Sequence, residues 1–140
     1  MKKTRVAKFR AERERLNEIV MKRAGRNIKR FYSIDAEAYK PGALTRKTKE
    51  LLGLTASLVL RCDDCIMYHL ANCREAGVTD QELDEALSIG LVVGGSITIP
   101  HLRRALRDWN QMSEQEAVSS EPKAVSRRQR VRPGTGAARR

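Results

Sequence analysis

Two thiols three residues apart, Cys62 and Cys65, are followed by an imidazole, His69, four residues beyond the second. An acid, Glu50, lies upstream in an otherwise apolar run, so the order is Glu, Cys-x-Asp-Cys, His. Cysteines at this spacing can close a small disulfide ring where a helix begins. Backbone N–H groups and the helix dipole at such a place favour negative charge. A thiol there ionises more readily, and the thiolate is the nucleophile. If Cys65 lies on the helix, His69 shares its face about 6 Å along the axis at ~1.5 Å per residue. Imidazole exchanges protons near neutral pH, and a buried carboxylate can fix its tautomer or take the thiol proton. A structural metal site is the competing chemistry, because Cys62, Cys65, His69 and Cys73 are all ligand types. Cys65 and Cys73, however, stand about 12 Å apart on a straight helix at ~1.5 Å per residue and cannot share one ion.

The elements that must carry these residues follow from local signals. Residues 45–60 read as a helix whose second half, Glu50 to Leu60, is apolar apart from Glu50 itself and calls for burial nearly all round. A carboxylate there needs a partner, since a bare buried charge is costly. Twelve residues of straight helix put Glu50 about 18 Å from Cys62 at ~1.5 Å per residue. A plain antiparallel hairpin would then place it near Arg74, so a bend near Gly53, a steep crossing of the helices or a site shared between subunits is expected. Asp63 or Asp64 is the expected cap of the next helix, which runs to about Ala76 and ends at Gly77. Tyr68 can lend a hydroxyl to the site or simply pack, and Cys73 reads as a small buried hydrophobe.

Around this pair the chain is also helical. Residues 4–24 form a basic helix with a narrow apolar stripe at Leu16, Ile19 and Val20, stopped at Gly25. Ser33 or Asp35 is the expected cap of a short helix through Tyr39, and Pro41-Gly42 breaks the chain. Thr79 with Glu82 and Val78 with Leu83 spell a capping box and a hydrophobic staple. Gly94-Gly95-Ser96 ends that helix, and a last one, with Pro100 near its start, runs through Asn110. His101 there reads as a surface or interface histidine rather than a pocket residue, and Trp109 as packing. The fold class is all-α, five or six helices, with residues 1–30 a basic N-terminal helix, 31–112 the helical domain and 113–140 a disordered basic tail.

The residues from Glu50 to His69, continued by Leu70-Ala71-Asn72-Cys73-Arg74-Glu75-Ala76-Gly77-Val78-Thr79 and by Gly94-Gly95-Ser96, resemble the alkylhydroperoxidase D-like branch of the carboxymuconolactone decarboxylase family. The likeness spans roughly residues 15–112. It implies an all-α fold assembled as trimers or hexamers, and a peroxidase with a cycling Cys-x-x-Cys disulfide and no metal, haem or flavin. By that likeness Cys65 is the peroxidatic cysteine, Cys62 the resolving one, and Glu50 and His69 the proton relay; the partners are a hydroperoxide and a dithiol reductant. The best-studied peroxidases of the family carry a second histidine just before the second cysteine, where this chain has Asp64. That departure motivates an alternative, a disulfide reductase or redox sensor without efficient peroxide turnover. The branch that decarboxylates does not use the cysteine pair.

Charge bears on a third reading. The 140 residues have a net charge of +11, and it is uneven. Residues 1–30 hold twelve Lys and Arg against three acids, 31–112 nine against eleven, and 113–140 seven against three. Basic ends without interleaved aromatics suit weak nucleic-acid binding through phosphates, or solubility alone. No apolar run reaches the ~18 residues of a membrane span, and the basic N-terminus lacks the apolar segment of a secretory signal. A cytoplasmic homo-oligomer is expected, in which a disulfide would be transient and catalytic.

Overall fold

In the computed structural model, residues 4–120 are described, and they fold into six α-helices and one 3-10 turn. Helix α1 is Arg5–Arg23, α2 Arg26–Ala38, α3 Arg46–Val59, α4 Asp63–Glu75, α5 Asp80–Gly94 and α6 Ile99–Ser120, with the 3-10 turn at Ser96–Thr98. Among these residues no helix is long and apolar enough to cross a membrane.

The core lies where α3, α4, α5 and α6 meet. Leu54 and Leu58 of α3, Leu70 and Cys73 of α4, Leu83 and Leu87 of α5 and Ala105 and Trp109 of α6 are all buried there. Gly90 brings α5 against α3: a Cβ at this position would sit 2.9 Å from a methyl of Leu58. The capping box at Thr79 and Glu82 forms as the sequence predicts, and Val78 and Leu83 are both buried beneath it. Trp109 joins three helices. Its indole N–H donates to Asp80 Oδ1 at 2.7 Å, and the Arg74 guanidinium lies 4.0 Å over its ring.

Two helix ends use the same turn with different residues. At the end of α4, Val78 N–H donates to Cys73 O and Gly77 N–H to Arg74 O, with Gly77 at φ 74°. At the end of α3, Cys62 N–H donates to Ser57 O and Arg61 N–H to Leu58 O, with Arg61 at φ 59°. Both are Schellman turns, which need one left-handed residue, usually glycine. Arginine fills that position in the turn that delivers the first cysteine.

Several local expectations are corrected. α2 begins at Arg26 with Gly25 as its N-cap, not at Ser33 or Asp35. Gly25, the stop of α1, also starts α2, whose Ile28, Phe31 and Tyr32 fall at i, i+3, i+4 and form an exposed apolar stripe. α4 is capped by Cys62 rather than by either aspartate, because the left-handed Arg61 turns Cys62 into the extended cap conformation. α3 runs unbroken through Gly53. α6 continues beyond Asn110 to Ser120, so the first eight residues of the expected tail are helical. Buried Met112 and an Arg74–Glu116 ion pair hold that stretch to the body. Residue 30, the expected boundary, falls inside α2, and the rest of the expected tail, 121–140, lies outside the described residues.

Candidate thiol site

The site is built on the α3–α4 corner. Cys62 ends the turn after α3 and caps α4, its Sγ accepting the Cys65 N–H at 3.3 Å. Cys62 and Cys65 form a disulfide with their Cα atoms 5.2 Å apart. Cys65 is exposed and Cys62 half-buried. The positions fit thiol chemistry: both sulfurs sit at the positive end of α4's dipole, although Asp63 and Asp64 occupy the same first turn.

One turn further on, His69 is nearly buried, and its Nδ1 lies 2.8 Å from Glu50 Oε2. Glu50 is only 2% exposed and well provided with partners. The Asn72 side-chain amide donates to both its oxygens at 3.2 and 3.3 Å, and Arg46 lies 3.9 Å away. A carboxylate only accepts, so the Nδ1 of His69 carries the proton and points it at Glu50.

The hairpin explains how Glu50 gets there. In an antiparallel pair turning at residue 61, position 50 lies opposite position 72, and Asn72 is indeed its neighbour. His69 is one turn back from Asn72, about 4.5 Å at ~1.5 Å per residue, within the reach of a glutamate side chain. The meeting occurs within one chain, so the contact needs no shared subunit site.

Gly53, where the bend was expected, serves close approach instead. A Cβ there would lie 2.5 Å from the Tyr39 hydroxyl and 2.6 and 2.8 Å from His69 Cε1 and Nε2. Tyr39, the C-cap of α2, brings its hydroxyl to 3.4 Å from His69 Nε2. The imidazole is thus flanked by two phenol rings, Tyr39 and Tyr68, each with its centroid 5.2 Å away.

Two clefts open on this arrangement. One, of about 630 Å³, is lined by Asp64, Cys65, Tyr68 and His69 of α4 and by Phe9 and Arg13 of α1. The other, of about 580 Å³, is lined by Tyr39, Glu50, Tyr68 and Asn72. Tyr68 forms a wall common to both and carries the Arg13 guanidinium 4.1 Å over its ring.

Sequence reasoning placed Glu50, Cys62, Cys65 and His69 together, and the structure joins Glu50 to His69 and opens Cys65 and His69 to one cleft. It missed Tyr39 and Asn72. Asn72 was findable as the residue facing position 50 in the hairpin; Tyr39 arrives from a separate helix, thirty residues away in sequence, and had no local signal.

Two further groups have definite places. Cys73 is fully buried, and burial, then the Glu50 charge, pushes its thiol up to about 12, so it stays protonated and inert. His101 is not an isolated surface residue. Its Nδ1 lies 2.8 Å from Asp63 Oδ1, and Arg104 reaches both oxygens of the same carboxylate at 3.2 and 3.0 Å. This ties the first turn of α4 to α6. Among the described residues no three His, Cys, Asp or Glu side chains converge as metal ligands.

Comparison with known proteins agrees with this architecture. Residues 27–108 match the carboxymuconolactone decarboxylase family. A crystal structure of a Thermotoga maritima protein is 55% identical, covers 79% of this chain and 97% of its own, and superposes with a TM-score of 0.78. A second structure from Thermotoga maritima, 54% identical over 80% of this chain and 95% of its own, with a TM-score of 0.77, is described as a member of that family, with an involvement in antioxidative response raised for it. An apo family member from Legionella pneumophila is 25% identical over 77% of this chain and 96% of its own, with a TM-score of 0.71. An uncharacterised protein from the cox locus of Paracoccus denitrificans is 28% identical over 85 residues, 60% of this chain and 77% of its own.

Proposed function

The chain belongs to the carboxymuconolactone decarboxylase family, and from that premise we propose that it is a thiol-dependent peroxidase. The observation that carries the reading is the Cys62–Cys65 disulfide at the start of α4, with exposed Cys65 opening on the cleft that His69 also lines. In the reduced protein the Cys65 thiolate attacks the terminal oxygen of a hydroperoxide. The O–O bond breaks, Cys65 becomes a sulfenic acid, and the alkoxide takes a proton to leave as an alcohol. The Cys62 thiol then condenses with the sulfenic acid, closing the disulfide and releasing water. An external dithiol reduces the disulfide by two exchange steps and is itself oxidised. His69, oriented by Glu50, carries protons between thiol and leaving group. The peroxide half of the cycle is carried by these side chains and the reducing half by the external dithiol.

The test is thiol counting by mass spectrometry before and after a slight excess of hydroperoxide. Wild type should lose two thiols quickly. Cys62→Ser should trap a sulfenic acid on Cys65, and Cys65→Ser should be inactive. Peroxidase activity that survives Cys65→Ser would sink the assignment.

A second reading, a disulfide reductase or redox sensor, is favoured by Asp64, whose carboxylate lines the cleft beside Cys65. A negative group there works against a thiolate. Thiols that ignore hydroperoxide but exchange with a small disulfide would select this reading.

Self-association belongs to the same proposal. Phe31 and Ile34 of α2 and Val92 and Val93 of α5 are each at least 68% exposed, and such apolar faces mark contact surfaces. Sedimentation should find a homo-oligomer, and a monomer would remove this part.

A further inference from the structure

In the proposed cycle Glu50 holds the Nδ1 side of His69, which leaves Nε2 as the nitrogen that takes and gives the proton. Tyr39 and Gly53 meet at that nitrogen, and Lys49 holds Tyr39 in place. The Tyr39 hydroxyl lies 3.4 Å from Nε2. Gly53 supplies the space, since a Cβ there would overlap both the hydroxyl and the ring. Lys49 holds the backbone on either side of Tyr39: its ammonium donates to Ala38 O at 2.8 Å and to Lys40 O at 2.6 Å. Lys49 immediately precedes Glu50. One turn of α3 therefore fixes both partners of the imidazole, Glu50 directly and Tyr39 through the end of α2.

We propose that Tyr39 is a positioning residue of the thiol site, donating its hydroxyl to His69 Nε2 and so holding the imidazole in the orientation and tautomer that Glu50 requires. With Nδ1–H on Glu50, the neutral ring has its lone pair on Nε2, which can only accept. The phenol is suited to donate. Burial first, then the charges of Glu50 and Asp35 and the neighbouring Tyr68, push its ionisation above the ordinary phenol value, so it keeps its proton at neutral pH. The groups around the ring are Glu50 and Arg46 from α3, Tyr68 and Asn72 from α4, Asp35 and Tyr39 from α2 and its cap, and Arg13 from α1 over Tyr68. Of these, Tyr39 is the group that meets Nε2. Nε2 is also the nitrogen that takes the thiol proton, so the phenol hydrogen bond yields at that step. Without Tyr39 the ring is free to turn about its side-chain bond or exchange tautomer, and only a fraction of molecules keep the accepting lone pair on Nε2. The kinetic part of this inference rests on the peroxidase reading; the positioning part does not.

The test uses full-length protein with nitrogen-15 in its imidazoles. In oxidised wild type, His69 should show a protonated Nδ1 and an Nε2 signal shifted by accepting a hydrogen bond. In Tyr39→Phe, which keeps the ring and removes the hydroxyl, that signal should move to the position of an unbonded imine nitrogen. Lys49→Met, which leaves Tyr39 in place but releases its backbone, should move it the same way. Reduced Tyr39→Phe should react with hydrogen peroxide about two- to tenfold more slowly than wild type, the scale of one hydrogen bond. An Nε2 signal unmoved in Tyr39→Phe, or a protonated Nε2 in wild type, overturns the proposal. So does a variant that reacts as fast as an active wild type. If the signals move as expected while wild-type thiols ignore peroxide, Tyr39 holds its role and the peroxidase reading falls.

Discussion

Glu50 and His69 stand nineteen residues apart in sequence, on two helices joined by a tight turn, and meet through a 2.8 Å contact between a carboxylate oxygen and Nδ1. Asn72 donates to the same carboxylate, so the acid is held from two positions of one helix face. Glu50→Gln keeps an acceptor for His69 and should fold normally, yet slow thiol oxidation by about tenfold or more through loss of the charge that steadies an imidazolium. Glu50→Leu leaves the imidazole and the Asn72 amide without their partner and should cost about 2–4 kcal/mol in a urea titration.

Gly53→Ala tests the close approach. The added Cβ meets the His69 ring and the Tyr39 hydroxyl well inside contact distance, and alanine otherwise favours the helix. The variant should therefore lose about 1–3 kcal/mol and show slowed thiol oxidation. A gain in stability would mean that the ring yields freely.

Cys73 gives a prediction about reactivity and pH. Its thiol, pushed to about 12 by burial and then by Glu50, should resist alkylation at pH 8 in reduced, folded protein while Cys62 and Cys65 react; peptide mapping reads the difference. The sign for stability follows. Above the ordinary value of 9.0 the unfolded chain releases this proton and the folded chain keeps it until about pH 12. Stability from this group is therefore full below pH 9 and falls as pH rises beyond it. Cys73→Ala should weaken that alkaline fall.

Asp63 acts at the other end of the scale. Burial tends to raise its carboxyl, but hydrogen bonds from His101 and Arg104 outweigh burial and hold it below the ordinary 3.8. Its contribution is present above pH 3.8 and lost as pH falls through the lower folded value. Asp63→Asn should flatten the acid limb of a stability-against-pH curve, and an unchanged limb would show that the tie between α4 and α6 carries no net stabilisation.

The two Schellman turns offer an internal control. Arg61 holds a left-handed conformation that costs an L-residue about 1–2 kcal/mol, part of which glycine returns in unfolded-chain entropy. Arg61→Gly should raise stability by up to about 1 kcal/mol, whereas Gly77→Ala should lower it by about 1 kcal/mol. Denaturant midpoints at unchanged slope would measure both.

Much of this architecture is legible in the sequence because short-range signals define it. Thr79 with Glu82 marks the start of α5, Thr45 that of α3, and the apolar run from Leu51 to Leu60 announces a buried helix. Three of the errors share one physical origin, residues with two uses. Gly25 ends one helix and begins another; Cys62 is at once a sulfur ligand of the disulfide and a helix cap; Gly53 looks like a flaw in a helix but makes room for a neighbour. The resemblance to the family, more than any local spacing, links Glu50 with His69. Tyr39 had no such link, because its place depends on how α2 returns to the body, a tertiary matter that no local pattern encodes. The stretch after Met112 is polar, and the ion pair that joins it to the body, Arg74 with Glu116, is likewise a tertiary contact.

Trp109 is the sole tryptophan of the chain, and its place has a practical consequence. It is anchored to Asp80 and covered by Arg74, which lies twelve residues along from Cys62, about 18 Å of helix at ~1.5 Å per residue. Its fluorescence therefore reports the joint of α4, α5 and α6 and is insulated from the sulfur chemistry at the opposite end of α4. An optical melt followed at this residue measures global unfolding in either oxidation state with the same probe. The difference between the two melts then gives the stabilisation conferred by the disulfide, uncontaminated by quenching at the thiols.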